Sequence, residues 1–396
     1  MQSKSINKIK VNIVVGSRFN ASKVVEILAD QNELYDVVIY TSSKKRNWKI
    51  EGKNVGYVFV PHFSAIISGL FKFHCPVWFD NISSVLFDWI TSLFMRRCDI
   101  LHAWSSYCLK CLEKAHNEGS FVIVDKACPH PVLQNKLLKK EGEILGVSFG
   151  ENYQFFHKRI LSEFNSSDMI IVPSDFTLNS FLENDTPRSK LKKIYLDANF
   201  TPKKKHVKNC YSEMFVVGVI GGSVARKGYI YLVRAWSELM LPNAKLLLKV
   251  SERELSKYTI LYKEIKANPS IEIVGYLDDI ESFYERCSVF CLPSIDEGFG
   301  MVVLESIACS TPVITTKNVG ASELVIDGIN GYVVYPFDHF ALANKMEFLF
   351  HNRDVLQKMS DMCLNSYESY LSSSLSYRKG LLSLYQEIVT KRLDNN

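Results

Sequence analysis

Two glutamates eight positions apart are the residues of this chain best suited to chemistry. Glu297 lies in a loop that follows a short apolar run, and Glu305 lies within an apolar segment with a helical pattern. An ionised carboxylate in apolar surroundings costs free energy unless a partner or ligand satisfies it. A carboxylate accepts hydrogen bonds from vicinal hydroxyl groups, so a ribose is a fitting ligand for Glu305. A capped or salt-bridged structural glutamate is the alternative.

Two glycines flank Phe299 at the start of the segment that carries Glu305. Gly298 and Gly300 allow backbone N–H groups to face a ligand where a helix begins. The positive end of a helix dipole lies at its N-terminus and suits an anionic group such as a diphosphate. Because the loop, the glycines and the two carboxylates occur together, a ligand site is favoured over a purely structural one.

Short, continuous apolar runs precede these loops and recur along the whole chain. In the first half they cover 11–15, 37–40, 55–60, 99–103, 121–124 and 169–172. In the second half they cover 215–220, 245–250, 271–274, 289–292, 312–315 and 331–334. Continuous rather than alternating runs are typical of strands buried on both faces, as in parallel sheets covered by helices. We therefore predict an α/β fold with two doubly wound, Rossmann-like domains whose parallel sheets face each other across a cleft.

A polar, proline-containing stretch at 201–213 interrupts this pattern and predicts a linker between the domains. The expected domains are an N-terminal Rossmann-like unit at 1–200 and a C-terminal one at 214–375. Apolar residues at helical spacing over 377–389 predict a last helix. We expect residues 376–396 to pack back on the first domain.

The segment 293–331 resembles the E-x7-E signature of retaining GT-B glycosyltransferases of family 4. Glu297 and Glu305, with seven residues between them, match it, as do the preceding Pro-Ser and the following Thr-Pro-Val-Ile. Residues 319–325 and 327–331 continue the family pattern. The resemblance covers nearly all of the second domain, but the first domain only by its layout and by residues 168–174.

This resemblance implies a GT-B fold and a hexosyltransferase-type enzyme that uses a nucleoside-diphosphate sugar as donor, with retention of anomeric configuration. It implies that Glu297 contacts the donor sugar as a catalytic residue and that Glu305 binds the nucleotide ribose. The backbone N–H groups of Phe299, Gly300 and Met301 would then lie near the sugar and the diphosphate. The C-terminal domain would bind the donor, and the N-terminal domain would lie on the acceptor side.

A second glycine turn, Gly221-Gly222, opens the C-terminal domain and resembles the phosphate-binding segment of the family. Lys227 matches that segment, so the resemblance makes Lys227 a catalytic residue at the diphosphate. Gly222 stands where the family carries an arginine. Arg226 is the candidate to supply the missing charge, with a surface residue as the alternative. Cations placed at a departing diphosphate stabilise the transition state more than the ground state.

Candidate residues in the first domain rest on weaker signals. Gly16 ends the first apolar run, and the resemblance places this turn against the donor phosphate and the acceptor. His130 follows the run at 121–124 in a proline-containing loop, where family members carry a catalytic cleft histidine. The surrounding sequence departs from the commoner His-Asp form of the family. A satisfied core histidine is the alternative for His130, and for His102 as well.

The sequence predicts no metal and no cofactor. No Asp-x-Asp motif follows a strand, and Asp278-Asp279 is expected to cap a helix. Cys108 and Cys111 form a CxxC without a second pair, which argues against zinc and favours two small residues on a helix that follows a strand. A redox pair is the other possibility. We expect cations and a helix dipole to meet the charge of the donor diphosphate.

Composition is that of an ordinary globular enzyme, with 47% apolar and 22% charged residues. A net charge of +5 is too small to indicate a nucleic-acid partner. Ten scattered cysteines and the lack of a secretory pattern predict a cytoplasmic protein.

The aromatic stretch at 61–95 predicts either core helices or contact with the inner membrane face. With the basic clusters nearby, it suggests an oligosaccharide or lipid-linked acceptor, as in capsule or lipopolysaccharide synthesis.

Two other functions fit the same sequence. A nucleotide-sugar 2-epimerase shares the fold and the nucleotide but needs no acceptor. A non-catalytic, glycan-binding GT-B protein would explain the glycine at Gly222, although intact Glu297, Glu305 and Lys227 argue against it.

Overall fold

The computed structural model describes most of the 396 residues. The described residues are 8–17, 19–48, 50, 53–71, 75–149, 154–198, 200, 202, 209–275, 277, 279–373 and 375–394. Arg18 of the first glycine turn, the basic run at 203–205, most of the expected linker and Asp278 therefore lie outside the description.

The first domain is built on a parallel sheet. Its strands are β1 (Ile9–Val15), β2 (Tyr35–Thr41), β3 (Val55–Phe59), β4 (Ile100–Trp104), β5 (Phe121–Asp125), β6 (Met169–Val172) and β7 (Leu191–Lys193). Within the described chain the strand order is β3-β2-β1-β4-β5-β6-β7. The order reverses between β1 and β4, so the loops after these two strands diverge and leave a crevice at the carboxyl edge.

Helices cover both faces of this sheet. They are α1 (Ala21–Ala29), α2 (Phe63–Phe71), α3 (Val77–Phe94), α4 (Leu109–Asn117), α5 (Pro131–Leu145), α6 (Gln154–Asn165) and α7 (Asp175–Leu182). Short 3₁₀ turns lie at Lys45–Asn47 and Arg188–Lys190. None of the described helices has both the length and the apolarity needed to cross a membrane.

The second domain repeats the arrangement. Its strands are β8 (Phe215–Ile220), β9 (Ala244–Lys249), β10 (Ile271–Val274), β11 (Val289–Leu292), β12 (Val313–Thr316) and β13 (Gly331–Val334), in the order β10-β9-β8-β11-β12-β13. Its helices are α8 (Tyr229–Leu239), α9 (Glu252–Leu255), α10 (Thr259–Ala267), α11 (Ile280–Arg286), α12 (Met301–Ala308), α13 (His339–His351) and α14 (Arg353–Ser372), with a 3₁₀ turn at Gly320–Leu324. Here the order reverses between β8 and β11, so the loops after β8 and β11 border the second crevice.

The predicted α/β fold with two Rossmann-like domains is confirmed. Each of the twelve predicted apolar runs coincides with a strand, and every side chain of β4, β6, β11 and β12 is buried. The sequence did not predict β7, because this strand is only Leu-Lys-Lys at the sheet edge, where its lysines reach solvent. Short polar edge strands lack the apolar signal that marks central ones.

The two cysteines of the CxxC lie at the start of α4, as a helix following a strand predicts. Cys108 and Cys111 are fully buried, and burial raises the pKa of both thiols well above the usual value. A thiol reacts and binds metals as the thiolate, so these two side chains act as packing groups. Asp279 caps α11 by accepting from the Glu281 N–H at 3.1 Å, as predicted.

A final helix, α15 (Tyr377–Asp394), packs against the first sheet. The Tyr385 hydroxyl is hydrogen-bonded to Nδ1 of His102 at 3.0 Å, and both side chains are fully buried. His102 also stacks on Trp104, with ring centroids 4.7 Å apart. His102 is therefore a core histidine that ties the end of the chain to the first domain.

We expect Tyr385→Phe to lower the free energy of unfolding by about 1–2 kcal/mol, since it leaves a buried nitrogen of His102 without its partner. Urea unfolding followed by circular dichroism measures this loss. Tyr335→Phe removes the same atom from an exposed ring and is the matched control, expected to shift stability by less than about 0.5 kcal/mol. Equal midpoints for the two variants would contradict the anchoring role of Tyr385.

Candidate functional site

The loop after β11 is held rigidly before it enters α12. The Glu297 N–H donates to the Asn318 carbonyl at 3.0 Å, and the Gly320 N–H donates to the Glu297 carbonyl at 3.0 Å. Asn318 Nδ2 donates to the Ile295 carbonyl at 2.8 Å. The backbone around Glu297 is thus paired on both sides with the segment that follows β12.

Lys227 reaches Glu297 across the crevice between β8 and β11. Its Nζ lies 3.0 Å from Glu297 Oε2, and both side chains are largely buried. The Lys227 side chain passes close to Gly221, whose φ is +134° and where a Cβ would lie 2.2 Å from Lys227 Cε. Burial alone would raise the pKa of Glu297, but the neighbouring Lys227 and Arg226 outweigh it and hold that pKa below its usual value. Glu297 is therefore an ionised carboxylate at neutral pH.

Arg226 is engaged by the residue just before Glu297. Its Nε lies 3.1 Å from Oδ2 of Asp296, a fully buried carboxylate, and its Nη2 donates to the Asp296 carbonyl at 3.2 Å. Gln134 of α5 donates to the same Oδ2 at 2.8 Å. A Cβ added at Gly222 would meet no atom within 4 Å. The guanidinium is thus held at Asp296, and the space beside Gly222 is open.

Glu305 is buried on α12 and has the partner that its apolar surroundings require. The Tyr284 hydroxyl, on α11, donates to Glu305 Oε2 at 2.8 Å. Burial, and then the nearby Glu305, raise the pKa of Tyr284 well above its usual value, so the phenol stays protonated and can donate. Glu305 also interacts electrostatically with Lys23 of α1. Burial lowers the pKa of Lys23, and the negative charges of Asp197 and Glu305 oppose that shift. The carboxylate is thus hydrogen-bonded within the second domain and electrostatically coupled to a lysine of the first.

Helix α12 begins directly after the second of the two glycines. Gly300 is the N-cap residue with φ +86°, and Met301 is the first residue of the helix. The Phe299 ring is buried, with its centroid 6.0 Å from the Tyr195 ring. Met301 also lines a cavity of about 170 Å³ together with Lys23 and other residues of the first domain. The helix therefore begins at the boundary between the domains.

Gly298 brings the same loop into contact with the first domain. A Cβ at this position would lie 1.8 Å from the Ala127 carbonyl oxygen, in the loop after β5. Ser174 Oγ and Thr177 Oγ1, at the start of α7, donate to the Gly298 carbonyl at 2.7 and 3.2 Å. The loop that carries Glu297 is therefore part of the domain interface.

His130 lies at the carboxyl edge of the first sheet, as the N-cap residue of α5. Its Nδ1 accepts from the Val132 N–H at 3.4 Å, so the proton of the neutral ring is on Nε2. Burial lowers the pKa of His130 to about 4, with Lys126 and His157 adding to the effect. At neutral pH this imidazole can donate one hydrogen bond from Nε2, but Nδ1 is already committed to the helix.

Gly16 packs closely at the same edge. A Cβ there would lie 2.7 Å from Cε1 of Tyr107, and the Gly16 carbonyl accepts from Ser42 Oγ. Thus Lys227, Arg226 and Glu297 come together at one crevice and Glu305 lies further along α12. Gly16 and His130 belong to the first domain.

Sequence reasoning missed four residues of this site. Asp296 binds both Arg226 and Gln134, and Tyr284 binds Glu305. Lys23 of the first domain is electrostatically favoured in its charged form by Glu305. Asp296 had a signal, because Asp296-Glu297 and Arg226-Lys227 are adjacent opposite charges that each follow a strand. The other three come from distant helices and have no local pattern. Among the residues described, no three or more His, Cys, Asp or Glu side chains lie close enough together to hold a metal ion.

Two doubly wound parallel domains that meet at their carboxyl edges define the GT-B fold. Sucrose-phosphate synthase from Thermosynechococcus elongatus has the same fold, with a TM-score of 0.72 at 15% identity over 98% of this chain and 100% of that one. Anabaena HepE in complex with UDP-glucose gives a TM-score of 0.66 at 16% identity over 98% of this chain and 100% of that one. At these identities the likeness concerns the fold.

Residues 200–363 match the family described as Glycosyl transferases group 1. A capsular polysaccharide biosynthesis glycosyltransferase of Staphylococcus aureus is 31% identical over 199 residues, which are 50% of this chain and 52% of that protein. The chain thus spans about half the length of the curated relatives that it matches. The solved structures thus show a GT-B fold, and the segment that matches the family model lies almost entirely in the second domain.

Substituting Gly298 and Gly222 by alanine separates the packed glycine from the open one. We expect Gly298→Ala to lower the free energy of unfolding by about 2–3 kcal/mol, because its methyl group would collide with a backbone carbonyl. Gly222→Ala is the matched control and should stay within about 0.5 kcal/mol of the parent protein. Chemical denaturation of both variants measures the difference. Equal stability of the Gly298→Ala and Gly222→Ala variants would show that the Glu297 loop can move away from Ala127 without loss of folding free energy.

The buried His130 gives stability a specific pH dependence. Its folded pKa lies below the unfolded value of ~6.5, so the unfolded chain binds more protons and stability falls as pH falls from 6.5 to about 4. The loss should reach about 2 kcal/mol once solvent screening is allowed for. His130→Asn keeps an N-cap side chain but cannot titrate. Denaturation across this pH range should show a shallower slope for the variant, and parallel slopes would rule out a buried neutral His130.

Proposed function

We propose that this protein is a retaining glycosyltransferase that moves a sugar from a nucleoside-diphosphate sugar to a glycan acceptor. The observation that carries the proposal is the Lys227–Glu297 pair, 3.0 Å apart at the crevice between β8 and β11, just before the N-terminus of α12. A cation, an ionised carboxylate and a helix N-terminus at a topological switch point suit a sugar diphosphate. The match of residues 200–363 to group 1 glycosyl transferases supports the same reaction class.

Donor binding would rearrange the charges of this pair. Without a ligand, Lys227 and Glu297 neutralise each other. A diphosphate at the N-terminus of α12 would compete for Lys227, and Glu297 would then accept hydrogen bonds from sugar hydroxyls. The open space beside Gly222 leaves room for the phosphates, and Glu305 would bind the ribose together with Tyr284. Family 4 assignment and retention rest on the E-x7-E resemblance.

The reaction itself would need no protein nucleophile. The bond between the anomeric carbon and the diphosphate oxygen breaks, and the acceptor hydroxyl oxygen bonds to the same carbon from the same face. The departing diphosphate takes the acceptor proton, while Lys227 and the dipole of α12 stabilise its growing charge. His130 would donate from Nε2 to a sugar hydroxyl. In this scheme no metal ion is required.

The acceptor in this proposal is a lipid-linked or soluble oligosaccharide of a surface polysaccharide. The Staphylococcus aureus relative is named for capsular polysaccharide biosynthesis, which supports an acceptor of this kind. We propose a cytoplasmic place of action, where nucleotide sugars are available to the open crevice.

Separate variants of the two glutamates test the roles assigned to them. Glu297→Gln should reduce transfer of labelled sugar at least about a hundredfold, because the charge that meets the donor sugar is lost. Its affinity for the cognate nucleoside diphosphate should change only a few-fold. Glu305→Gln should weaken that affinity about tenfold, because a charged hydrogen-bond acceptor of the ribose is lost. Calorimetry and a transfer assay in excess EDTA, with a panel of nucleotide sugars, measure both.

Three outcomes would contradict the proposal. Release of an epimerised sugar nucleotide without acceptor would indicate an epimerase of the same fold. Folded parent protein that neither transfers nor hydrolyses any sugar of the panel would indicate a binding protein. Activity that appears only after a divalent metal is added would overturn the metal-free scheme.

A further inference from the structure

Helix α3 exposes a continuous apolar stripe to solvent. Trp78, Trp89 and Leu93 are 58%, 53% and 58% exposed, and Ile82 and Leu86 are exposed between them. With 3.6 residues per turn, these five side chains fall within an arc of about 80° and extend over about 22 Å of helix. The opposite face packs on the first sheet through Phe87 and others. An apolar stripe of this length on an outer face is unusual for a free surface.

The stripe continues at both ends of the helix. Phe94, the last residue of α3, is 68% exposed, and Phe63 and Ile66 of the neighbouring α2 are exposed as well. We call this surface, formed by exposed side chains of α2 and α3, the hairpin face. It presents few polar side chains, whereas protein–protein interfaces carry about one hydrogen bond per 100–200 Å². Its composition suits a binding partner that makes apolar contacts and few hydrogen bonds.

Charge at the end of α3 narrows the choice of occupant. From residue 75 to residue 97 the charged side chains are Asp80, Asp88, Arg96 and Arg97. Asp88 is buried and pairs with Arg159, and Asp80 accepts from Ser64 Oγ. Arg96 and Arg97 are exposed directly beyond Phe94. Lys114 adds a third cation, since its Nζ donates to the Met95 carbonyl at 2.7 Å.

Aromatic and aliphatic side chains beside exposed arginines match the interface of an anionic bilayer. Tryptophan and phenylalanine settle at the level of lipid headgroups, and arginines bind the phosphates while their stems cover apolar surface. A second copy of this chain would bring the same two arginines, and the described side chains of α2 and α3 offer them only one exposed carboxylate, Asp80. Charge complementarity therefore favours lipid phosphates over self-association.

The hairpin face is connected to the proposed acceptor side. His62, just before α2, is hydrogen-bonded through Nε2 to Ser84 of α3 at 3.1 Å and lies edge-on to Tyr107, with ring centroids 5.7 Å apart. Tyr107 in turn packs against Gly16, at the carboxyl edge of the first sheet. A bilayer on the hairpin face would thus contact the first domain, which is the domain proposed to face the acceptor.

We propose that the hairpin face lies on the surface of an anionic phospholipid bilayer, with α3 parallel to the membrane plane and Arg96 and Arg97 on lipid phosphates. The proposed membrane contact is inferred from the exposed stripe and its arginines alone. If the proposed function also holds, the membrane would present a lipid-linked acceptor to the first domain. Binding to lipid and transfer of sugar are therefore separate measurements.

Flotation of the full chain with vesicles tests the proposal. The protein should bind vesicles of equal parts phosphatidylglycerol and phosphatidylcholine, and bind pure phosphatidylcholine much less. Trp89→Ser with Leu93→Ser should reduce the bound fraction at least about tenfold, because two large side chains no longer enter the bilayer. Arg96→Gln with Arg97→Gln should remove the preference for the anionic vesicles.

Met240→Ser with Phe340→Ser is the matched control, because both side chains are exposed apolar groups on the second domain. This variant should bind vesicles like the parent protein. All variants should retain the melting temperature and the transfer rate on a soluble acceptor. Failure of the parent protein to bind anionic vesicles would overturn the proposal. A parent dimer in sedimentation that Trp89→Ser dissociates would also overturn it, in favour of a second copy on this face.

Discussion

Two neighbouring ion pairs join the loops at the centre of the second domain. Arg226 binds Asp296 and Lys227 binds Glu297, so two consecutive cations from the loop after β8 meet two consecutive carboxylates from the loop after β11. Removing either partner of such a pair would leave a desolvated charge uncompensated, which is costly. The pairs therefore fix both loops, and with them the start of α12. The cation and the carboxylate proposed to act on the donor are held in place by this charge balance.

The same loop also connects the two domains. Gly298 packs directly on the Ala127 carbonyl, and its own carbonyl accepts from Ser174 and Thr177. Farther along the interface the Tyr231 hydroxyl donates to Glu141 at 2.5 Å, and burial raises the pKa of that glutamate to about 7. Because the Glu297 loop is both the proposed donor-binding loop and a domain contact, a ligand that displaces it would also alter the contact between the domains.

The sequence predicted the fold well, because central strands of parallel sheets are buried on both faces and appear as unbroken apolar runs. Lys227 and Glu297 were found through a motif, and the structure brings them together. Asp296, Gln134 and Tyr284 were not found, because their partnerships depend on strand order and helix packing between distant segments. The sequence also did not show which side chains of α3 are exposed. That helix is apolar on its inner and outer faces alike, so its periodicity does not distinguish the two faces.

In the part of the chain that the structure describes, one segment after β7 and one between α14 and α15 lead from one domain to the other. These passages lie side by side: the Tyr370 hydroxyl donates to the Leu196 carbonyl at 3.1 Å, and the Tyr377 N–H lies 3.5 Å from Asp197 Oδ1. Two adjacent covalent connections can form a hinge between the domains. They permit rotation about the line that joins them and resist both twisting and sliding. A rotation of this kind would carry the Glu297 loop towards or away from its contacts with Ala127, Ser174 and Thr177 of the first domain.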